Sequence, residues 1–315
     1  MPATTLLSNT DASVFRMGGF VQDLVSLSEQ FKVLAGVRWS FQKTPTTDIT
    51  TIATGAETKG TVLDKIDKAF SPKFGIIYEP LKTTSVYVSY SNNFTSNSGI
   101  DIATNGPMEP SIIDQYEAGI KNDFLDGKLS ANLTVYKIKN DKFAQTALAD
   151  PTKREFTGAT ASDGLEIDLS GTIVTGLNFI AGYSYNYMRY KSTLAVTGIV
   201  EGERLVGTTK NTANGTLFYT FQTGDVKGLK IGASAFYTGD RNGGRNTTKN
   251  NSSTGIIPLS GFTTLDFSAG YTWKKLSLLA KLSNITNELN YFVHENYSVN
   301  PIAPRQFVTT VSYKF

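Results

Sequence analysis

The chain has 315 residues, 30 Lys and Arg against 27 Asp and Glu, and a formal net charge of +3. So slight an excess argues for no nucleic-acid partner. Cysteine is absent, which excludes disulfides and thiolate metal sites, and a single histidine, His294, argues against a His-rich metal site or a Ser-His-Asp triad. In their place stand 40 Thr, 26 Ser, 21 Asn and 28 Gly with 36 aromatics, a mixture that favours strands and turns. No apolar run approaches the roughly 18 residues of a membrane helix. The opening MPATTLLSNT lacks the basic and apolar regions of a signal peptide. Two classes stay open, a soluble all-β protein and a transmembrane β-barrel whose polar lumen dilutes its apolar face.

Residues 1–13 read as a lead-in. From there, period-two alternation marks thirteen segments, near 14–26, 31–43, 69–80, 84–95, 114–125, 129–140, 160–173, 177–190, 208–222, 229–240, 261–273, 276–286 and 305–315. In the last three, Phe267, Ala269, Leu276, Leu278, Ala280, Leu282 and Val311 fall on one face, and Asp266, Ser277, Lys281 and Thr310 on the other. The connections alternate in length. Short turns at 27–30, 81–83, 126–128, 174–176, 223–228 and 274–275 are interleaved with long links at 44–68, 96–113, 141–159, 191–207, 241–260 and 287–304. A soluble sandwich has no reason to alternate so regularly, whereas an outer-membrane barrel has short periplasmic turns, long extracellular loops and strands of about ten residues. Aromatics gather at strand ends, Trp39 and Phe41, Tyr183, Tyr185 and Tyr187, Tyr271 and Trp273, Tyr313 and Phe315, as interfacial girdles require.

Several stretches then resemble the β-barrel of TonB-dependent outer-membrane receptors, and among them the siderophore receptors. Gly19-Phe20-Val21-Gln22-Asp23 is similar to a "YxQD" strand, and Leu34-Ala35-Gly36-Val37-Arg38-Trp39 to "LxxGxRY". Ser71-Pro72-Lys73-Phe74-Gly75 with Tyr78-Glu79-Pro80 resembles "SPrxGxxYxP", and Val86-Tyr87-Val88-Ser89-Tyr90 the strand that follows it. Tyr116-Glu117-Ala118-Gly119-Ile120-Lys121, Gly164-Leu165-Glu166, Leu282-Ser283-Asn284-Ile285-Thr286-Asn287 and Ala303-Pro304-Arg305 continue the series in the family's order. The resemblance implies an all-β fold, a transmembrane antiparallel barrel of which residues 14–315 are a C-terminal portion. If Phe315 ends the last of 22 strands, the first segment here is the tenth. No plug domain or TonB box is read in the sequence, so a fragment is expected.

No catalytic constellation is found. Glu166 and Asp168 sit two apart on one strand face and read as lumen charges; Arg241-Asn-Gly-Gly-Arg245 reads as a flexible loop tip rather than a phosphate nest; His294 reads as a loop histidine. The resemblance implies a receptor for ferric siderophore in the bacterial outer membrane, energised by the TonB complex through the plug. It implies no cofactor and no enzyme activity, contact with outer-membrane lipid, and a C-terminal Tyr313-Lys314-Phe315 read by the barrel assembly machinery. A cobalamin, haem or glycan receptor, a passive porin and a soluble carbohydrate-binding protein are the alternatives. A bulky ferric ligand needs aromatic platforms and hydrogen-bond donors at the outer mouth. Phe94, Tyr187, Arg189, Tyr190, Tyr237, Arg241, Tyr291, Phe292 and Tyr297 are placed to supply them, though the same residues also suit the outer girdle.

Overall fold

The computed structural model describes residues 7–60, 64–147, 149–150, 152–193, 201–245, 256–294 and 298–315. Among them one antiparallel sheet of 13 strands dominates, and each strand is hydrogen-bonded to its neighbours along the chain. The strands are β1 (Phe15–Ser26), β2 (Phe31–Thr44), β3 (Lys65–Leu81), β4 (Thr84–Thr95), β5 (Ser111–Phe124), β6 (Leu129–Thr146), β7 (Arg154–Val174), β8 (Leu177–Ser192), β9 (Asn211–Thr220), β10 (Lys230–Thr238), β11 (Phe262–Trp273), β12 (Leu276–Ser283) and β13 (Gln306–Tyr313). Each of the thirteen expected segments is present. The chief departure is at β6 and β7. They pair well beyond Asn140 and Thr160, through two register shifts near Gly158, so the expected loop 141–159 shrinks to the link between Thr146 and Arg154.

Alternation becomes two unlike faces. Across the last strands Phe267 stands opposite Ala233 and Leu282, and Leu282 opposite Phe307, a continuous apolar row. One residue along, Lys281 stands opposite Ser268, and its Nζ lies 2.9 Å from Asp266. The same polar face carries Thr216 donating to Ser234 at 2.9 Å, and the Tyr87 hydroxyl donating to Glu117 at 2.6 Å with Thr134 3.0 Å away. It also holds a concavity of about 760 Å³ bordered by Arg16, Arg38, Gln42, Lys73, Ser91 and Asn93. The polar face is therefore the lumen wall and the apolar face the lipid side, as expected for the residues named above. A one-residue slip would reverse every one of them, so the registers are tightly specified.

Two close approaches shape the lumen wall. The Tyr87 ring lies against Gly119, where a Cβ would come within 2.6 Å of it, and the Tyr136 ring lies against Gly164, where a Cβ would come within 2.2 Å. Each glycine lets a large ring lie across the neighbouring strand. At the turn end, Gly176 has φ +90° and its absent Cβ would meet the Thr220 carbonyl at 2.5 Å, so the turn from β7 to β8 needs glycine there. Outward aromatics mark both rims. Phe31 stacks on Tyr78 at 4.7 Å near the turns, with Trp273 and Tyr313 exposed at the same end. At the opposite rim the Phe41 ring lies 6.2 Å from both Trp39 and Phe15.

The long connections hold further strands. Ser8–Asp11, inside the expected lead-in, pairs with Asp48–Thr51, which pairs with Ala56–Lys59. Arg241–Arg245 pairs with Ile256–Leu259, and Tyr291–His294 with Ser298–Pro301. The expected flexible tip at 241–245 is thus a strand, and Arg241 and Asn242 are buried within it. Most of the tightly packed side chains lie in or near these connections, Met108, Ala144, Ala147 and Ile302 among them, while the wall itself is one sheet thick.

Leu133 lies on the outward apolar face, opposite Ile120 and Ile167 and two rows from the turn-end row that contains Leu129. Leu133→Arg is expected to destabilise the folded barrel by about 2–4 kcal/mol, as for a cation near the bilayer midplane. The neighbouring lumen change Asn132→Arg should stay within about 0.5 kcal/mol. Denaturant titration of both variants in lipid vesicles checks the pair.

Candidate functional site

The lumen wall meets the loops through buried polar contacts. At the top of β3 the Lys65 ammonium lies 3.0 Å from Asp67 and donates to the Asn97 carbonyl at 2.6 Å. Ser96 donates to Asp67 at 2.6 Å. Asp67 is only 2% exposed, and these bonds are what make its burial tolerable. They fix the start of the β4–β5 connection to the inner rim.

A second junction lies across the mouth. Arg241 is 3% exposed. Its Nη2 donates to the Ser260 carbonyl at 3.2 Å and to the Asn290 side-chain oxygen. The guanidinium stands 5.0 Å from the Phe262 ring centroid and 5.2 Å from that of Phe292, a cation held between two aromatic faces. Its Nε and Nη1 are buried without an acceptor among the described residues. Burial pushes the guanidinium below its ordinary pKa, but arginine stays charged. Phe262 stands opposite Thr238 and shares the inward row with Thr264 and Asp266, which sets this cation at the lumen side of the mouth.

The next residue binds the third loop. Asn242 donates to the Arg204 carbonyl at 3.0 Å and accepts from the Gly244 amide at 2.8 Å, and its own carbonyl accepts from the Gly207 amide at 2.7 Å. Arg204 donates to the Asp240 carboxylate at 2.6 Å and to the Asp240 carbonyl at 3.0 Å. One short run, Asp240 to Asn242, therefore ties together the β8–β9, β10–β11 and β12–β13 connections. Two guanidinium nitrogens of Arg241 still lack an acceptor among the described residues, and such donors cost free energy until one is supplied. Elsewhere on the lumen wall, on β1 to β3, the cationic side chains of Arg16, Arg38 and Lys73 border the concavity and form no ion pair among the described residues.

The structure sorts the nine residues expected at the mouth. Arg241 and Phe292 come together, and Tyr291 begins the same short strand as Phe292. Tyr190 is on the inward row, 8% exposed, with its ring 6.2 Å from Phe143. Register places Phe94, Tyr187, Arg189 and Tyr237 on the outward rows instead, opposite Ile112, Asp163, Ala161 and Thr263 respectively. Tyr297 lies outside the described residues. Phe262, Asn290, Asn242 and Arg204 were not anticipated. The inward parity of Phe262 with Asp266 was the one available signal. Glu166 and Asp168 lie on the lumen wall, opposite Thr134 and Asn132. Among the described residues no cluster of three metal-ligating side chains occurs.

A family model described as "TonB dependent receptor-like, beta-barrel" matches residues 2–285. The chain belongs to this family. It is an outer-membrane β-barrel chain, and its end with the long connections is extracellular. It is 25% identical over 297 residues to the metal-pseudopaline receptor CntO of Pseudomonas aeruginosa, covering 94% of this chain and 40% of that protein. The siderophore receptor PiuA of Acinetobacter baumannii superposes with a TM-score of 0.76 at 18% identity, over 97% of this chain and 44% of that one. FpvA of P. aeruginosa, solved with a ferric pyoverdine, gives 0.73 at 21% identity, over 97% and 39%. The chain spans about two-fifths of the length of these relatives.

Arg204 holds the Asp240 carboxyl below the usual carboxylate range. Because the folded value is the lower one, the clamp is fully formed above the free carboxyl value of about 4 and is lost as pH falls through the depressed value. Protection of the amides near Arg204 and Asn242, taken relative to their intrinsic exchange rates, should therefore fall on acidification below about pH 4, and that response should be absent in Asp240→Asn.

Proposed function

We propose that the chain is barrel wall of a TonB-dependent outer-membrane receptor for ferric siderophores, and that Arg241 is its principal contact with ligand at the mouth. The observation that carries this reading is the buried guanidinium between Phe262 and Phe292, with Nε and Nη1 still lacking an acceptor among the described residues. Ferric siderophores present hydroxamate, catecholate or carboxylate oxygens around the iron, often beside apolar or aromatic groups. A guanidinium framed by two aromatic rings suits both parts of such a molecule. Phe292 is 53% exposed and covers one side of the cation. On this reading its ring moves aside when an oxyanion arrives, and Tyr291 is drawn along because it belongs to the same hairpin. Arg16, Arg38 and Lys73 then offer an anionic chelate a favourable path along the inner wall.

The relatives support the same ligand class, being receptors for metal-pseudopaline, ferric pyoverdine and ferrioxamine B. Uptake is energised by the TonB complex acting on a plug, the lipid face rests against the outer membrane, and the barrel assembly machinery reads the Tyr313–Phe315 end. The role is binding and passage, with no covalent chemistry.

Binding of a panel of ferric siderophores, with cobalamin and haemin as counter-probes, tests this through quenching of intrinsic fluorescence. At least one ferric siderophore should bind in preference to both counter-probes. Arg241→Gln should weaken that binding by about 10- to 100-fold, as expected for lost hydrogen bonds to a charged group. Phe292→Ala should weaken it less. Preference for cobalamin or haemin, or full affinity in Arg241→Gln, would overturn the proposal.

A further inference from the structure

The outward face gathers its charges most densely on β5 to β8; elsewhere among the described residues it carries Asp23 near the turns and Lys43 and Lys68 at the loop end of β2 and β3. On β9 to β13 every outward residue is uncharged, from Ala213 and Leu217 through Leu265 and Leu278 to Val311. On β5 to β8 the apolar rows climb from the turns to a row of Ala118, Val135, Leu165 and Tyr185, mutually opposite in register. The next row up is Tyr116, Lys137, Asp163 and Tyr187, and the row above that is Asp114, Lys139, Ala161 and Arg189. The change from apolar to charged is complete within a single step of the pleat, on the extracellular half of the lipid face.

The side chains form a built patch. Asp163 pairs with Arg189 and lies 3.6 Å from Lys137. Arg189 also stacks on Tyr187 at 4.7 Å, and the Lys210 ammonium sits 4.4 Å from the same ring centroid. Lys139 lies 5.8 Å from the Tyr116 ring centroid and forms no ion pair among the described residues. Asp114 is occupied by hydrogen bonds from Tyr90 at 2.7 Å and Asn92 at 2.8 Å. Four cations thus surround two carboxylates, and the two tyrosine rings hold the cations close to the surface instead of letting them reach away into water.

We infer that this patch on β5 to β8 binds the phosphorylated headgroup of an outer-leaflet glycolipid, whose acyl chains lie on the apolar rows beneath it. The argument is charge complementarity joined to continuity with the lipid face. Cations are tolerated on a lipid-facing strand only near the interface, and there they are attracted to anionic headgroups. Lys137, Lys139 and Arg189 point the same way as Val135 and Leu165, so one amphiphile can satisfy both rows. A soluble anion would gain nothing from the apolar rows. The inference rests on the barrel's place in the outer membrane and is independent of the ligand carried through the lumen.

Native mass spectrometry of the full chain in neutral-lipid nanodiscs, titrated with bis-phosphorylated lipid A, tests it. The wild type should bind this lipid, and Lys137→Gln/Lys139→Gln should weaken binding by about tenfold or more. Lys139→Arg should retain it, and lipid A stripped of phosphate should bind the wild type no better than the double variant. Heat-modifiable migration reports folding. If the double variant fails to fold, Lys139→Gln alone carries the comparison, because that side chain has no ion pair to lose among the described residues. Equal affinity for wild type and variant, or for phosphorylated and stripped lipid, would overturn the inference. Full competition by inorganic phosphate would also overturn it, by making this a site for a soluble anion.

Discussion

The backbone amide of a strand in hydrocarbon has no water to turn to, and every unpaired donor or acceptor there costs several kcal/mol, about the stability margin of a small domain. That constraint sets the rest of the molecule. It forces each of β2 to β12 to be paired on both sides, and it favours a meander in which consecutive strands are neighbours, because a short turn then leaves no stretch of membrane-level backbone unsatisfied. With the backbone settled, side chains are divided between two solvents, hydrocarbon outside and a polar lumen inside. A wall one sheet thick has no buried core to stabilise it. Lys281–Asp266 and Thr216–Ser234 show what takes its place, cross-strand polar pairs on the inner face and apolar rows on the outer.

Above the membrane the problem is different. Loop backbone there can hydrogen-bond water, so nothing compels order, and what order exists comes from specific polar contacts. The Lys65–Asp67 pair and the Asp240–Arg241–Asn242 run act as rivets that link connections separated in sequence by tens of residues. Rivets of this kind are costly to break because removing one partner leaves the other buried and unpaired. The unfilled donors of Arg241 are a departure from that economy, and their position at the lumen rim gives them chemical meaning.

Much of the wall was legible because the two solvents write on every residue. In Leu276–Ser283 apolar and polar positions alternate with little interruption, and the strand ends where that pattern ends. The extension of β6 through Asp141, Lys142 and Phe143 was not legible, since both faces are wet there and alternation lapses. Arg241-Asn-Gly-Gly-Arg245 has the composition of a loop tip. Pairing with Ile256–Leu259 makes it a strand, and partners such as Asn290 and Phe292, some fifty residues away, bury its arginine. Tyr187 and Arg189 illustrate a third case. Their height at the mouth was clear from the sequence, but whether they face inward or outward depends on a register that Asp163 and Ala161 settle.

The tyrosines laid across Gly119 and Gly164 have a mechanical meaning beyond packing. A ring standing off the wall would project into the passage; lying flat, it lines the bore like a tile. The hydroxyl of Tyr87, tethered to Glu117 and Thr134, keeps it there. The glycines thus set clearance. The free cross-section of the conduit at that depth is determined by what two residues lack, and a single methyl group added at either would narrow the passage by tilting a whole aromatic ring into it.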